Sequence, residues 1–205
     1  VKTTKCLGGT ILIVAFVAGA ALGAESNMAG SKHDMRLTNS NRELCLPCHT
    51  PHGGDETVGY LWNHAYQPAS AFTTWENATL GDESLMCMGC HDGQTVRDNY
   101  GGGKNSAGYV LVGPPAIGTD LTDDHPVGVE YQGGSRYAGK TTGEDGDPVV
   151  DIGDGKHLPL YRNATTGKDQ VECATCHAVH NHTKDYLLRY ENTGSALCLG
   201  CHATW

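Results

Sequence analysis

Hydrophobic and polar positions are distributed unevenly along the chain. Val1-Lys-Thr-Thr-Lys5 leads into an apolar run from Leu7 to Leu22, broken only by small or hydroxyl residues, and the sequence turns polar at Glu25. A basic start, a short apolar stretch and small residues at Ala18-Gly-Ala20 or Ala21-Leu-Gly23 predict a secretory signal peptide over 1–24, cut between Ala20 and Glu25. Cys6 would leave with it. A retained N-terminal anchor is the alternative, and no other stretch reads as a membrane span. Beyond residue 25 no segment sustains a helical or an alternating period for long. Local signals predict short helices: Ser40-Asn-Arg-Glu43 matches a capping box, Asp82 is placed to cap a segment that stops at Gly93, and Ser195 to open a last one. Of the 28 glycines, 14 fall within 101–156, with Gly101-Gly-Gly103, Gly133-Gly134 and Pro114-Pro115. That stretch reads as a surface loop region with brief extended pieces such as Tyr109 to Val112. Its acidic run, Glu144-Asp-Gly-Asp147 with Asp151 and Asp154, reads as a solvated loop, because its spacing fits no calcium loop.

Cys-x-x-Cys-His occurs four times: Cys45 to His49, Cys87 to His91, Cys173 to His177 and Cys198 to His202. Two thiols at this spacing add to the two vinyl groups of one haem, and the adjacent histidine lands beneath the iron as its proximal ligand. Zinc also uses paired Cys-x-x-Cys. It does not require a histidine after every pair, whereas all four pairs here carry one. The sequence therefore predicts four haem c groups, with thioethers at Cys45, Cys48, Cys87, Cys90, Cys173, Cys176, Cys198 and Cys201, and proximal ligands His49, His91, His177 and His202.

Seven of the 11 histidines remain: His33, His52, His64, His125, His157, His180 and His182. Two halves share one ligand order: a free histidine, a motif extended to a second histidine, then a plain motif. The order His33, Cys45 to His52, Cys87 to His91 is matched by His125, Cys173 to His180, Cys198 to His202. This nominates His33, His52, His125 and His180 as distal ligands, with approximate two-haem halves at 25–100 and 120–205 of one domain over 25–205. His52 and His180 each follow a proximal histidine by three residues. On a helical turn both side chains would leave from nearly one face, so each must reach the iron of another haem, which brings two haems together in each half. Methionine is the other common sixth ligand, but Met86 and Met88 flank Cys87 and are badly placed for their own iron. His64, within Leu61-Trp-Asn-His64, is the reserve distal candidate in place of His33, or a hydrogen-bond donor to a propionate.

Composition sharpens the picture. The chain has 14 Lys and Arg against 23 Asp and Glu, net −9, and loss of Lys2 and Lys5 makes it more acidic, which argues against a nucleic-acid partner. With two phenylalanines and 28 glycines there is little apolar material for an ordinary core, so haem is expected to be the core. The expected fold class is mostly irregular coil with short α-helices at the haem motifs and minimal β.

Six segments carry a resemblance to a known family: His33-Asp-Met35, Cys45-Leu-Pro-Cys-His-Thr-Pro-His52, Leu61-Trp-Asn-His64, Cys87-Met-Gly-Cys-His-Asp-Gly93, Asp124-His-Pro-Val127 and Leu197-Cys-Leu-Gly-Cys-His202. Together they resemble the doubled-motif multihaem cytochromes of metal-reducing and related microbes. Among those, the chain is most similar to the OmcE-type cytochromes that polymerise into extracellular nanowires. The resemblance implies alternating parallel and T-shaped haem pairs, little regular secondary structure, a homo-polymer and one histidine donated between subunits. His33 is the first candidate for that ligand by matching position, with His52, His64 and His125 open.

These readings imply an electron carrier and not an enzyme. It would be secreted to the cell surface or beyond, with other cytochromes and extracellular acceptors as redox partners. A monomeric periplasmic shuttle is the alternative. A reductase of a small nitrogen oxide is the third reading, and would need one five-coordinate haem.

Overall fold

The computed structural model describes residues 28–37, 42–55, 57–96, 110–181 and 183–202. The expected signal peptide, Ser40 and Asn41 of the capping box, the Gly101-Gly-Gly103 tract and His182 lie outside the described residues. No helix among them is long and apolar enough to cross a membrane.

Helices form where the sequence places motifs. The longest is Asp82–His91; Cys173–Cys176 and Ala196–Cys201 are shorter, and the first motif closes as a turn with His49 N–H donating to Cys45 O at 2.8 Å. The Asp82–His91 helix is not capped by Asp82, which lies in its first turn. Gly81 is its N-cap, and the free N–H of Gly81 donates to the Glu172 carboxylate at 3.0 Å. Likewise Asn192 Oδ1, and not Ser195, accepts from the first turn of the last helix, at Leu197 N–H, 3.0 Å.

The expectation of minimal β is wrong. Two three-stranded antiparallel sheets occupy 129–171. In one, β2 (Lys140–Thr142), β3 (Pro148–Asp151) and β4 (His157–Pro159) follow in sequence order; in the other, β1 (Val129–Glu130) and β5 (Tyr161–Arg162) flank β6 (Asp169–Val171). The acidic Glu144–Asp147 run is the hairpin turn between β2 and β3, closed by Gly143 N–H to Asp147 O at 2.8 Å with Gly146 at φ +88°. Asp-Gly between two short runs rich in Thr and Val is a hairpin signal. Strands of two to four residues are too short to show it as alternation.

The sheets also correct the expectation that haem alone forms the core. Val150 and Leu158 are fully buried and pack with Tyr131, Leu160 and Leu197. A Cβ at Gly200, inside the last Cys-x-x-Cys, would stand 2.8 Å from Ile152 Cβ, so the sheet presses directly on the fourth motif. A second cluster, Phe72, Leu80, Leu85, Met88 and Leu121, lies beneath the Asp82–His91 helix. Met88, weighed above as a ligand, is a core side chain.

Candidate metal centre

The first and third motifs are built by the same set of bonds. His49 Nδ1–H donates to Tyr60 O at 2.7 Å, and His177 Nδ1–H to Tyr186 O at 2.8 Å. Thr50 N–H meets Leu61 O at 2.9 Å, and Ala178 N–H meets Leu187 O at 2.7 Å. Asn63 N–H donates to Cys48 O and Arg189 N–H to Cys176 O, each at 2.9 Å. Finally Asn63 Nδ2 and Arg189 Nε reach the carbonyls of Leu46 and Ala174, the first residues between the cysteines, at 2.6 and 2.9 Å. A Tyr-Leu segment thus returns to each motif, 11 residues after His49 and nine after His177.

The plain motifs are held differently. His91 Nδ1–H donates to Pro115 O at 2.7 Å, while His91 O accepts from Ile117 N–H at 2.7 Å. Cys201 O accepts from Ala138 N–H at 2.8 Å, and the Tyr137 ring stands 5.3 Å from that of His202. A carbonyl can only accept, so in His49, His91 and His177 the proton sits on Nδ1. That leaves Nε2 unprotonated, the tautomer a metal ligand needs.

Three of the four motif histidines, His49, His91 and His202, face a second histidine ring. His33 stands 6.0 Å from His91, His180 5.9 Å from His49, and His125 6.3 Å from His202, centroid to centroid. A metal ion bonded at about 2.0–2.1 Å to one nitrogen of each of two imidazoles separates their centroids by about 6 Å. Each pair joins one motif histidine to one non-motif histidine. The residues fit a two-imidazole axial set, and among the described residues no three His, Cys, Asp or Glu side chains converge as a zinc cage would require. Burial, and then charge repulsion from His91 and His177, lower the pKa of His33 to about 4; burial and His49 lower that of His180. Both rings are held neutral, as ligands must be.

Local structure explains two of these placements. The turn carrying His33 is tied by Asp34, which accepts from Gly30 N–H at 2.7 Å and pairs with Arg36. His125 precedes β1, whose pairing of Val129 with Val171 ties this stretch to the third motif, and its ring stands beside His202. The expectation that His180 brings two haems together within its own half does not hold, because its ring lies against His49 of the first half. His52 is exposed, with its carbonyl accepting from Thr50 Oγ1 at 2.8 Å, and no described ring faces His177 as the others are faced. The reserve candidate His64 is buried. Its Nδ1–H donates to Ala65 O at 2.6 Å and its Nε2 lies 3.5 Å from Cys90 Sγ, so it abuts the second motif.

None of the eight motif cysteines is joined in a disulfide. Burial, then the neighbouring Cys45, pushes Cys48 up to about 11, and burial does the same for Cys201. Cys87 and Cys173 stand side by side, with a hydrogen bond between them that raises Cys87 and lowers Cys173, so the second and third motifs touch at their cysteine edges.

Residues 165–204 match the family model described as the doubled CXXCH motif. That match supports a multihaem c-type cytochrome. No curated protein matches the chain. The doubled motif indicates covalently bound haem c and suggests a haem-binding electron-transfer protein. The Tyr60 and Tyr186 carbonyls are the functional groups that motif spacing does not reveal; the recurring Tyr-Leu dipeptide is the signal that marks them.

Proposed function

We propose that the chain carries electrons through four closely spaced bis-histidine haems, as one four-haem unit over 25–205 and as the repeating subunit of an extracellular filament. Bound haem supplies an iron that takes up and releases one electron. The protein supplies ligands, spacing and exclusion of water. The observation that carries the reading is the set of three histidine pairs about 6 Å apart, each with one motif member. His33, His180 and His125 serve the irons of His91, His49 and His202. In the repeat His52 corresponds to His180, and we assign it to the iron of His177. Two histidines on each iron would leave no open coordination site for a substrate, which favours a carrier over a reductase.

Close spacing is supported by His180 of the third motif reaching His49 of the first and by the adjacent Cys87 and Cys173 of the second and third. Assembly rests on the resemblance of the motif string to filament-forming cytochromes and on an acidic chain organised around its cofactors. Cryo-electron microscopy of the sheared extracellular fraction tests it. The expected result is filaments with a continuous haem row and His52 on the iron of His177. A ligand from a second copy at that iron would replace His52 in the scheme, and discrete particles of one mass would replace the filament by a periplasmic carrier.

A further inference from the structure

The bonds that return Tyr60-Leu61 to the first motif and Tyr186-Leu187 to the third require an unusual backbone. Tyr60 and Leu61 both have φ +53°, and Tyr186 and Leu187 have φ +56° and +58°. Each pair forms the centre of a tight turn, closed by Trp62 N–H to Gly59 O at 3.0 Å and by Leu188 N–H to Asp185 O at 3.2 Å. Two successive left-handed positions belong to the turn type that favours Asn-Gly or Gly-Gly, and bulky side chains there are outliers. Each such residue brings its Cβ too close to the following carbonyl oxygen, a steric cost that only glycine escapes.

Side-chain packing does not offset that cost in common. Tyr60 is 60% exposed and Tyr186 86% exposed. Tyr60 Oη donates to Glu83 at 3.2 Å, a residue with no counterpart bond at Tyr186. What the two sites share is the backbone: the Tyr carbonyl on Nδ1–H of the motif histidine, and the Leu carbonyl on the N–H of the next residue. The turn is the conformation that aims two successive carbonyls at one histidine and its neighbour.

We infer that the Tyr60-Leu61 and Tyr186-Leu187 turns are positioning elements that fix the rings of His49 and His177 and, by accepting their Nδ1 protons, lower the potential of the two irons these histidines hold. The inference rests on the bis-histidine reading above. An acceptor on the far nitrogen raises the basicity of an imidazole ligand, and outer hydrogen bonding is one of the levers by which a protein tunes haem iron. His91 receives its acceptor from Pro115 instead, which lies in no such left-handed turn.

The test compares variants of the haem-loaded protein by haem content and by spectroelectrochemical titration. Proline cannot adopt φ +53°, so Tyr60→Pro removes the acceptor, whereas Tyr60→Gly/Leu61→Gly accepts the same backbone without side chains. The expected result is a shift of one of four reduction steps to higher potential in Tyr60→Pro, with wild-type potentials in the double-glycine variant. Tyr186→Pro should shift a second, different step, and serves if Tyr60→Pro fails to load haem. Wild-type potentials in a loaded proline variant would overturn the inference, as would an equal shift in the double-glycine variant, which would assign the effect to the side chains. The low-spin spectrum of the wild-type protein tests the underlying ligand scheme separately, so a null result with that spectrum intact counts against the turns alone.

Discussion

Glu172 offers the most quantitative prediction. It lies one residue before Cys173 and is 1% exposed, yet its carboxylate joins the two halves: Oε1 accepts from Gly81 N–H at 3.0 Å, Oε2 from Ser84 Oγ, and Ser84 Oγ in turn accepts from Cys173 N–H at 3.0 Å. Burial raises its pKa from 4.5 to about 8, against the pull of the Ser84 and Gly81 bonds, with smaller contributions from Cys173 and Glu83. The native state therefore binds a proton that the unfolded chain has released between pH 4.5 and about 8. Stability is fully present below the unfolded value and falls as pH rises through this window. At 1.36 kcal/mol per pH unit the full loss is about 5 kcal/mol. Thermal or urea unfolding of the haem-loaded protein at pH 5, 7 and 9 reads it. Glu172→Gln keeps an acceptor for Gly81 and removes the charge, so it should flatten the decline and be the more stable form at pH 9. Glu172→Ala should lose about 2–4 kcal/mol even at pH 5, because it strands the buried Gly81 donor and Ser84. Parallel pH profiles for wild type and Glu172→Gln would refute the reasoning.

His180→Met should raise the potential of one haem, that of His49, while leaving haem content unchanged; titration curves superimposable on wild type would remove the cross-half pairing. Gly200→Val should destabilise by about 1–3 kcal/mol in urea unfolding, since the new side chain meets Ile152, and trimming the partner in an Ile152→Ala background should recover part of the loss. Leu158→Ala should cost about 2–5 kcal/mol as a fully buried residue; a loss under 1 kcal/mol would show that the sheet core is dispensable once haem is bound.

What the sequence revealed and what it hid follow from the physics of each feature. Covalent attachment requires fixed residue types at fixed spacing, so the Cys-x-x-Cys-His motifs were legible as candidates, and the repeated ligand order nominated His33, His125 and His180, whose rings stand beside those of His91, His202 and His49. The partner of His180 was not legible, because contact between residues 49 and 180 depends on how the halves cross and not on local spacing. The sheets were hidden by brevity: β1 and β5 have two residues each, and their neighbours' glycines lie in turns that read as loop. Asp82 was misassigned as a cap because Gly81 holds that position and its N–H partner, Glu172, lies elsewhere in the chain. Ser195 does stand at the N-cap of the last helix, with Asn192 supplying the accepting side chain. Backbone acceptors are the hardest to read, since every residue owns a carbonyl; the Tyr-Leu recurrence that marks them is recognisable only once the structure shows what it does.

The central claim is that two histidines flank every iron. Near-infrared magnetic circular dichroism with electron paramagnetic resonance, on the oxidised haem-loaded protein, tests it most directly. The account predicts four low-spin centres per chain, all with bis-imidazole signatures, and no carbon monoxide binding by the native reduced form. A high-spin centre, a methionine-ligated signature or a carbon monoxide adduct would contradict it and direct attention to the iron of His177.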